Sequence, residues 1–143
     1  MIERGGGTLE ARDLAGNDPV AQAVAEMVAL VKSSLTTTEA AARLGVDPSR
    51  IRQRLAERTL YGFEWEGRWL LPSFQFEEDR FVRGLEAVFP LLDPELSPIE
   101  VESWLSNPDP DLHAEKLGRD LTPLEWLRLG YPIQRLAHIA RNL

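Results

Sequence analysis

The chain has 143 residues, 43% of them hydrophobic and 27% charged, with a formal net charge of -7 at pH 7 and no cysteine. That length suits one compact domain or two small ones sharing a core, and the missing cysteine excludes disulfides and thiolate metal sites. No apolar run approaches the roughly 20 residues a membrane helix needs, and no basic-then-apolar leader follows Met1, so the expectation is a cytoplasmic protein with no membrane partner.

Charge is unevenly spread. Residues 1–34 carry a net of -2, residues 35–72 carry six arginines against five acids for a net of +1, and residues 73–143 carry a net of -6. Four of the six middle arginines fall between positions 50 and 58. An arginine cluster suits nucleic acid, whereas an acidic C-terminal part suits a basic protein partner.

In chain order, residues 1–17 with Gly5-Gly6-Gly7 predict a flexible N-terminus. Asp18-Pro19 then opens a helix over about 19–32, with Val20, Val24, Met27, Val28 and Val31 on one apolar face. That face is expected to close the core, with a dimer contact as the alternative. A helix from Thr36 to Leu44 follows, with Ala40, Ala41 and Leu44 inward and Gly45 as its stop. Asp47-Pro48 starts a second helix to about Glu57, anchored by Ile51 and Leu55 one turn apart. Tyr61 to Pro72 alternates aromatic and polar residues around Glu66-Gly67, a hairpin pattern. Trp65 and Trp69 are expected to hold this hairpin against the body. Phe74 and Phe76 around Gln75 suggest a short extra strand, and Glu77-Glu78-Asp79 a solvent turn.

The remainder predicts short helices. One spans about Val82 to Leu91. The next opens at Ser97-Pro98-Ile99-Glu100, a capping box with proline at its first position, and stops at Asn107-Pro108-Asp109-Pro110. Thr122-Pro123-Leu124-Glu125 repeats the device for a helix that ends at Gly130, and a last helix covers about Pro132 to Arg141.

Two short helices, a tight turn and a hairpin are what a reader of duplex DNA needs. A helix set in the major groove requires exposed donors: arginine grips guanine and glutamine grips adenine with paired hydrogen bonds. Ser49, Arg50, Gln53 and Arg54, with Arg52, lie at the start of the second helix, where groove contact is closest. Thr37 and Thr38 at the preceding helix start suit phosphates, and Arg58 and Arg68 complete the expected DNA-binding set. His113 and His138 are far apart and lack partners for metal binding. No nucleophile or phosphate-cradling loop accompanies them, so neither a catalytic centre, a metal nor a cofactor is expected.

Two resemblances sharpen this. Thr37-Thr38-Glu39-Ala40-Ala41, Leu44-Gly45-Val46, Ile51-Arg52, Leu55 and Gly67-Arg68-Trp69-Leu70-Leu71-Pro72 resemble the excisionase-type winged helix-turn-helix, the smaller relative of MerR-type regulators. The family usually has a glycine after the second helix, where this chain has Arg58-Thr59-Leu60. Ser103-Trp104-Leu105, Asn107-Pro108, Asp111-Leu112 and Thr122-Pro123-Leu124-Glu125-Trp126-Leu127, closed by Gly130, resemble the toxin-binding domain of Xre/MbcA/ParS-type antitoxins. His113 to Asp120 is longer than that family's connection. The second resemblance implies an antitoxin of a type II toxin-antitoxin system. Such a protein neutralises a RES-domain, NAD-consuming toxin by occluding its active site, and it represses its own operon by binding operator DNA. It would do so as a homodimer or a higher hetero-oligomer with toxin. Carried over, Arg135, His138, Arg141, Asn142 and Leu143 would face the toxin, with Trp104, Asn107 and Trp126 in the same toxin-binding element, where the two tryptophans are expected to pack the core. The alternatives are an excisionase- or MerR-like DNA-binding regulator or architectural protein without a toxin, and an interaction adaptor whose helix-turn-helix no longer binds DNA. The expected fold is mainly α. It comprises a flexible segment 1–17, a winged helix-turn-helix with its N-terminal helix over 18–76, and a helical module over 77–143.

Overall fold

The computed structural model describes residues 18–143, so the expectation of flexibility over 1–17 lies outside the described residues. The described chain is mainly helical with three small antiparallel sheets. Two units divide after Ser33.

The first unit contributes α1 (Pro19–Ser33), whose start is capped by the Asp18 carboxylate accepting the Val20 N–H at 3.0 Å. The valine stripe expected to be buried is largely open: Val20, Val24 and Val28 are 72%, 57% and 41% exposed. Helical spacing places these side chains on one side; it does not determine whether anything covers them.

The second unit begins with β1 (Leu35–Thr36), α2 (Thr37–Leu44) and α3 (Pro48–Glu57). Thr36 is both the end of the strand and the N-cap of α2. Its hydroxyl accepts the Glu39 N–H, while the Glu39 carboxylate accepts the Thr36 N–H. Those bonds hold the Glu39 carboxyl below its ordinary range, with the Thr36 backbone N–H as the main cause and Arg68 and Arg43 adding to it. Asp47 caps α3 by accepting the Ser49 N–H at 2.9 Å. β2 (Phe63–Trp65) and β3 (Arg68–Leu71) form the expected hairpin, with Trp65 opposite Arg68 and Phe63 opposite Leu70. At its tip Glu66 and Gly67 both have positive φ, 50° and 81°, as a two-residue turn matched to strand twist requires. β1 joins the other edge of β3, giving the order β1-β3-β2. Ala40, Ala41, Ile51, Leu60, Leu71 and Phe76 form the core of this half.

Pro72 leads into a single 3-10 turn, Ser73–Gln75, where a strand was expected, and the strand β4 (Phe76–Glu77) follows it. The reason is Gln75, which is fully buried. Its amide oxygen accepts the Tyr61 N–H at 2.8 Å, and its amide nitrogen donates to the carbonyls of Tyr61 at 2.7 Å and Pro72 at 3.0 Å. β4 pairs with β5 (Arg80–Phe81) around the acidic turn at Glu78 and Asp79.

The helix expected over 82–91 is broken into α4 (Leu85–Val88) and a 3-10 turn, Phe89–Leu91, because Pro90 cannot donate to the helical ladder. The helices α5 (Pro98–Ser106), α6 (Pro123–Arg128) and α7 (Ile133–Arg141) follow. Both expected capping boxes are present, Ser97 with Glu100 and Thr122 with Glu125. The long connection His113 to Asp120 is a hairpin of β6 (His113–Ala114) and β7 (Arg119–Asp120). Leu85, Val88, Phe89, Leu105, Leu121 and Leu136 centre the core of this half, and Phe81 packs against both cores.

Glu125 is held by the Arg119 guanidinium at 3.0 Å and by the Thr122 N–H, which bring its carboxyl down to about 2. Because the folded value lies below the unfolded one, this stability is present above the ordinary carboxylate range and is lost as pH falls towards about 2. Replacing Glu125 by Gln should therefore flatten the acid limb of a plot of denaturation midpoint against pH. Gln75→Ala leaves one buried N–H and two buried carbonyls unpaired and should cost about 3 kcal/mol or more of stability in a urea titration.

Candidate nucleic-acid interface

α3 turns Ile51 fully inward and packs Leu55 behind it, so its opposite face is open. Ser49, Arg50, Arg52 and Gln53 are all exposed on that open side, as the sequence pattern predicted. Gln53 lies at the centre of the face, one helical turn from Ser49, with Arg50 and Arg52 on opposite flanks. Arg68 is exposed beside the β2–β3 turn. Thr37 and Thr38 occupy the first two positions of α2, ahead of the amide that the Thr36 hydroxyl caps, so their backbone N–H groups keep the orientation that suits an anion. The Glu39 carboxylate sits at the same helix start and works against that role.

Arg54 and Arg58 are engaged within the protein, although Arg54 still lines one shallow groove with Arg50. Arg54 is half-buried: its Nε donates to the Thr59 hydroxyl at 3.2 Å and its Nη2 to the Thr59 carbonyl at 3.1 Å. Its guanidinium carbon lies 4.8 Å from the centre of the Phe81 ring, a cation–π arrangement. Burial, and then the nearby Arg50 charge, lower its pKa below the usual arginine value. Arg58 is the C-cap of α3, with φ 61°. Its Nη2 donates to the Leu92 carbonyl at 2.8 Å and its Nη1 to the Pro90 carbonyl at 3.4 Å. Residue type and helical spacing do not separate these arginines from Arg50 and Arg52; the difference lies in Thr59 just past the helix and in Phe81, Pro90 and Leu92 far downstream. Arg58, in the link where the excisionase-type resemblance expects a glycine, adopts the left-handed conformation that favours glycine.

Two exposed residues escaped the sequence reading. Arg80, on β5, lines a shallow groove of about 280 Å³ with Arg50, Val46 and Phe81. It comes next to α3 only through the pairing of Phe76 with Phe81, which a run of three acids followed by arginine does not announce. Glu57 sits at the end of the exposed face of α3 and accepts a hydrogen bond from the Gln53 amide at 3.3 Å.

The residues of the expected toxin-binding element divide similarly. Trp126 is buried, donates its indole N–H to the Pro132 carbonyl at 2.7 Å and stacks on Tyr131 at 4.6 Å. Asn107 closes the last turn of α5 by donating to the Ser103 carbonyl at 2.7 Å. Trp104 is half-buried, and its indole N–H is enclosed without a hydrogen-bond partner among the described residues. Asn142 is exposed but donates to the His138 carbonyl at 2.8 Å, and Arg135 to the Asp111 carbonyl at 3.3 Å. His138, Arg141 and Leu143 are exposed along and beyond α7. His113 pairs with the Asp120 carboxylate at 2.7 Å, and no group of three His, Asp or Glu side chains among the described residues could hold a metal ion.

No protein-family model matches the chain, and no curated protein matches it significantly. Among solved structures, the NMR structure of Rv2175c is similar, with a TM-score of 0.50 and 24% identity over 75% of this chain and 80% of that one. At that identity the likeness concerns the fold alone.

The two roles of arginine on α3 can be separated by stability. Arg50→Ala should leave the denaturation midpoint within about 0.5 kcal/mol of wild type. Arg58→Ala should lower stability by about 2 kcal/mol through two lost charge-assisted bonds. Arg58→Gly loses the same bonds but relieves the left-handed strain, so it should be about 1 kcal/mol more stable than Arg58→Ala.

Proposed function

We propose that β1 to β3 with α2 and α3 form a winged helix-turn-helix, and that the chain is a DNA-binding regulator. α3 enters the major groove and the β2–β3 hairpin lies along the neighbouring backbone. The observation that carries this reading is the surface of α3: Ser49, Arg50, Arg52 and Gln53, exposed along its first two turns, carry donors suited to bases and phosphates, while Ile51 beneath them is wholly buried. Arg68 at the hairpin tip extends the same set. Ser49 and Gln53 meet base edges, Arg50 a guanine or a phosphate, and Arg52 and Arg68 the backbone.

A second reading adds a protein partner on the helical half, a RES-domain toxin whose NAD cleft this half would occlude. It is favoured by the exposed face of α7, where Arg135 and His138 border a shallow groove with Asp111 and Gln134, and by exposed Arg141 and Leu143. It is the weaker of the two, because Trp126 is engaged inside the protein and the exposed Asn107 is spent on closing the end of its own helix. Co-expression with a RES-domain protein and an NAD-consumption assay tests it; full activity of the toxin in the presence of this chain would remove it.

For DNA, the measurement is binding of the chain to sites selected from a random duplex library, repeated across a salt series. Affinity should fall steeply with salt. Arg50→Ala should weaken the selected site about tenfold or more. Arg68→Ala should weaken all duplexes alike and reduce the salt slope by about one. A folded wild-type chain with no salt-dependent duplex binding would end this reading.

A further inference from the structure

Arg50, Gln53 and Glu57 form a hydrogen-bonded ladder on the exposed side of α3. The Arg50 Nη1 donates to the Gln53 amide oxygen at 2.8 Å, and the Gln53 amide nitrogen donates to the Glu57 carboxylate at 3.3 Å. The spacing of three and four residues puts all three on one face, and all three are exposed.

The chemistry of the two ends makes the ladder directional. A guanidinium only donates and a carboxylate only accepts. The Gln53 amide, which on an open surface could flip between two orientations, is therefore held with its oxygen towards the start of α3 and its nitrogen towards the end. The ladder uses one lone pair of that oxygen and one hydrogen of that nitrogen. One lone pair and one hydrogen remain, the pair that reads adenine through its N6 amino group and N7.

Resting on the DNA-binding reading above, we propose that Glu57 is a positioning residue that sets the polarity of the Gln53 amide, and with it the direction in which an adenine is read. The N7 edge of that adenine faces the C-terminal end of α3 and its amino group the N-terminal end. Glu57 also lies on the face turned to the phosphates, where its charge repels every duplex equally. It therefore lowers general affinity while it raises discrimination.

These two effects separate experimentally. Base preference at the position read by Gln53 is located by comparing wild type with Gln53→Ala on a panel of single-base variants of the selected site. Wild type should favour adenine there about tenfold or more. Glu57→Ala removes the acceptor at one end of the ladder, leaves the amide held by Arg50 alone and removes the repulsion, so the preference should fall about threefold or more while affinity for unrelated duplex rises. Glu57→Gln keeps an acceptor for the amide and removes only the charge. It should retain the preference while affinity for unrelated duplex rises as it does in Glu57→Ala. A folding defect would instead weaken all binding in both variants. An undiminished adenine preference in Glu57→Ala overturns the positioning role while leaving DNA binding intact. A wild-type chain that binds no duplex removes the DNA reading and this inference with it.

Discussion

The guanidinium of Arg58 joins the end of α3 to the carbonyls of Pro90 and Leu92, and the placement of α3 depends on that joint. A non-glycine residue in the left-handed region costs about 1 kcal/mol. Here the cost is offset by two bonds from a charged donor to backbone oxygens, which are stronger than neutral ones. One turn earlier Arg54 lies over Phe81, whose ring meets Phe89 edge-on at 6.2 Å, and Phe89 in turn packs on Tyr61 at 5.7 Å. Tyr61 is fastened by Gln75, and its burial pushes the phenol up to about 12. The helix that carries the exposed arginines is thus braced through arginines and aromatic rings against the helical half of the same unit.

On the proposed reading, a chain with a net charge of -7 would present a surface to DNA. What a duplex meets is local, since charges beyond about 8 to 10 Å are screened at physiological salt. Of the five acids in residues 35–72, Glu39 and Asp47 are held by backbone N–H groups at helix starts, where each offsets positive helix-end charge. Two of the six arginines are withdrawn to the brace. The remaining surface is only weakly positive. On the proposed reading such a surface gives modest attraction for arbitrary DNA, so affinity has to come from base contacts, and the accuracy of side-chain placement on α3 gains importance.

Much of the architecture was legible because its signals are local. The capping boxes at Ser97 and Thr122, the Asp47-Pro48 start and the Glu66-Gly67 turn each depend on residues within four positions of one another, and each is found where the pattern places it. The features that were not legible depend on distant partners. β1 is two residues long and exists because β3 lies beside it. Gln75 reads as a polar position between two phenylalanines, yet it is buried because Tyr61 and Pro72 present it with unpaired backbone groups. Arg54 and Arg58 look like their neighbours Arg50 and Arg52 until Phe81, Pro90 and Leu92 are in place. On α3 the pattern placed the helix and its start but treated all its arginines alike.

The residues shared with the antitoxin resemblance are best understood through the same distinction. Trp126, with its indole N–H on the Pro132 carbonyl and its ring against Tyr131, fixes the corner between α6 and α7. Asn107 satisfies the Ser103 carbonyl at the end of α5, where the chain must turn before Pro108 and Pro110. A motif made of such residues preserves a shape, and a shape can be kept while the surface over it changes completely. The residues that would distinguish one partner from another are the exposed ones, among them Arg135, His138, Arg141 and Leu143 on and beyond α7. By contrast, the exposed residues of α3 contain their own chemical pattern: donors only at Arg50 and Arg52, and an amide held between a donor and an acceptor at Gln53. A surface that selects among bases needs that kind of internal order, which is why the proposed DNA reading carries the stronger functional argument.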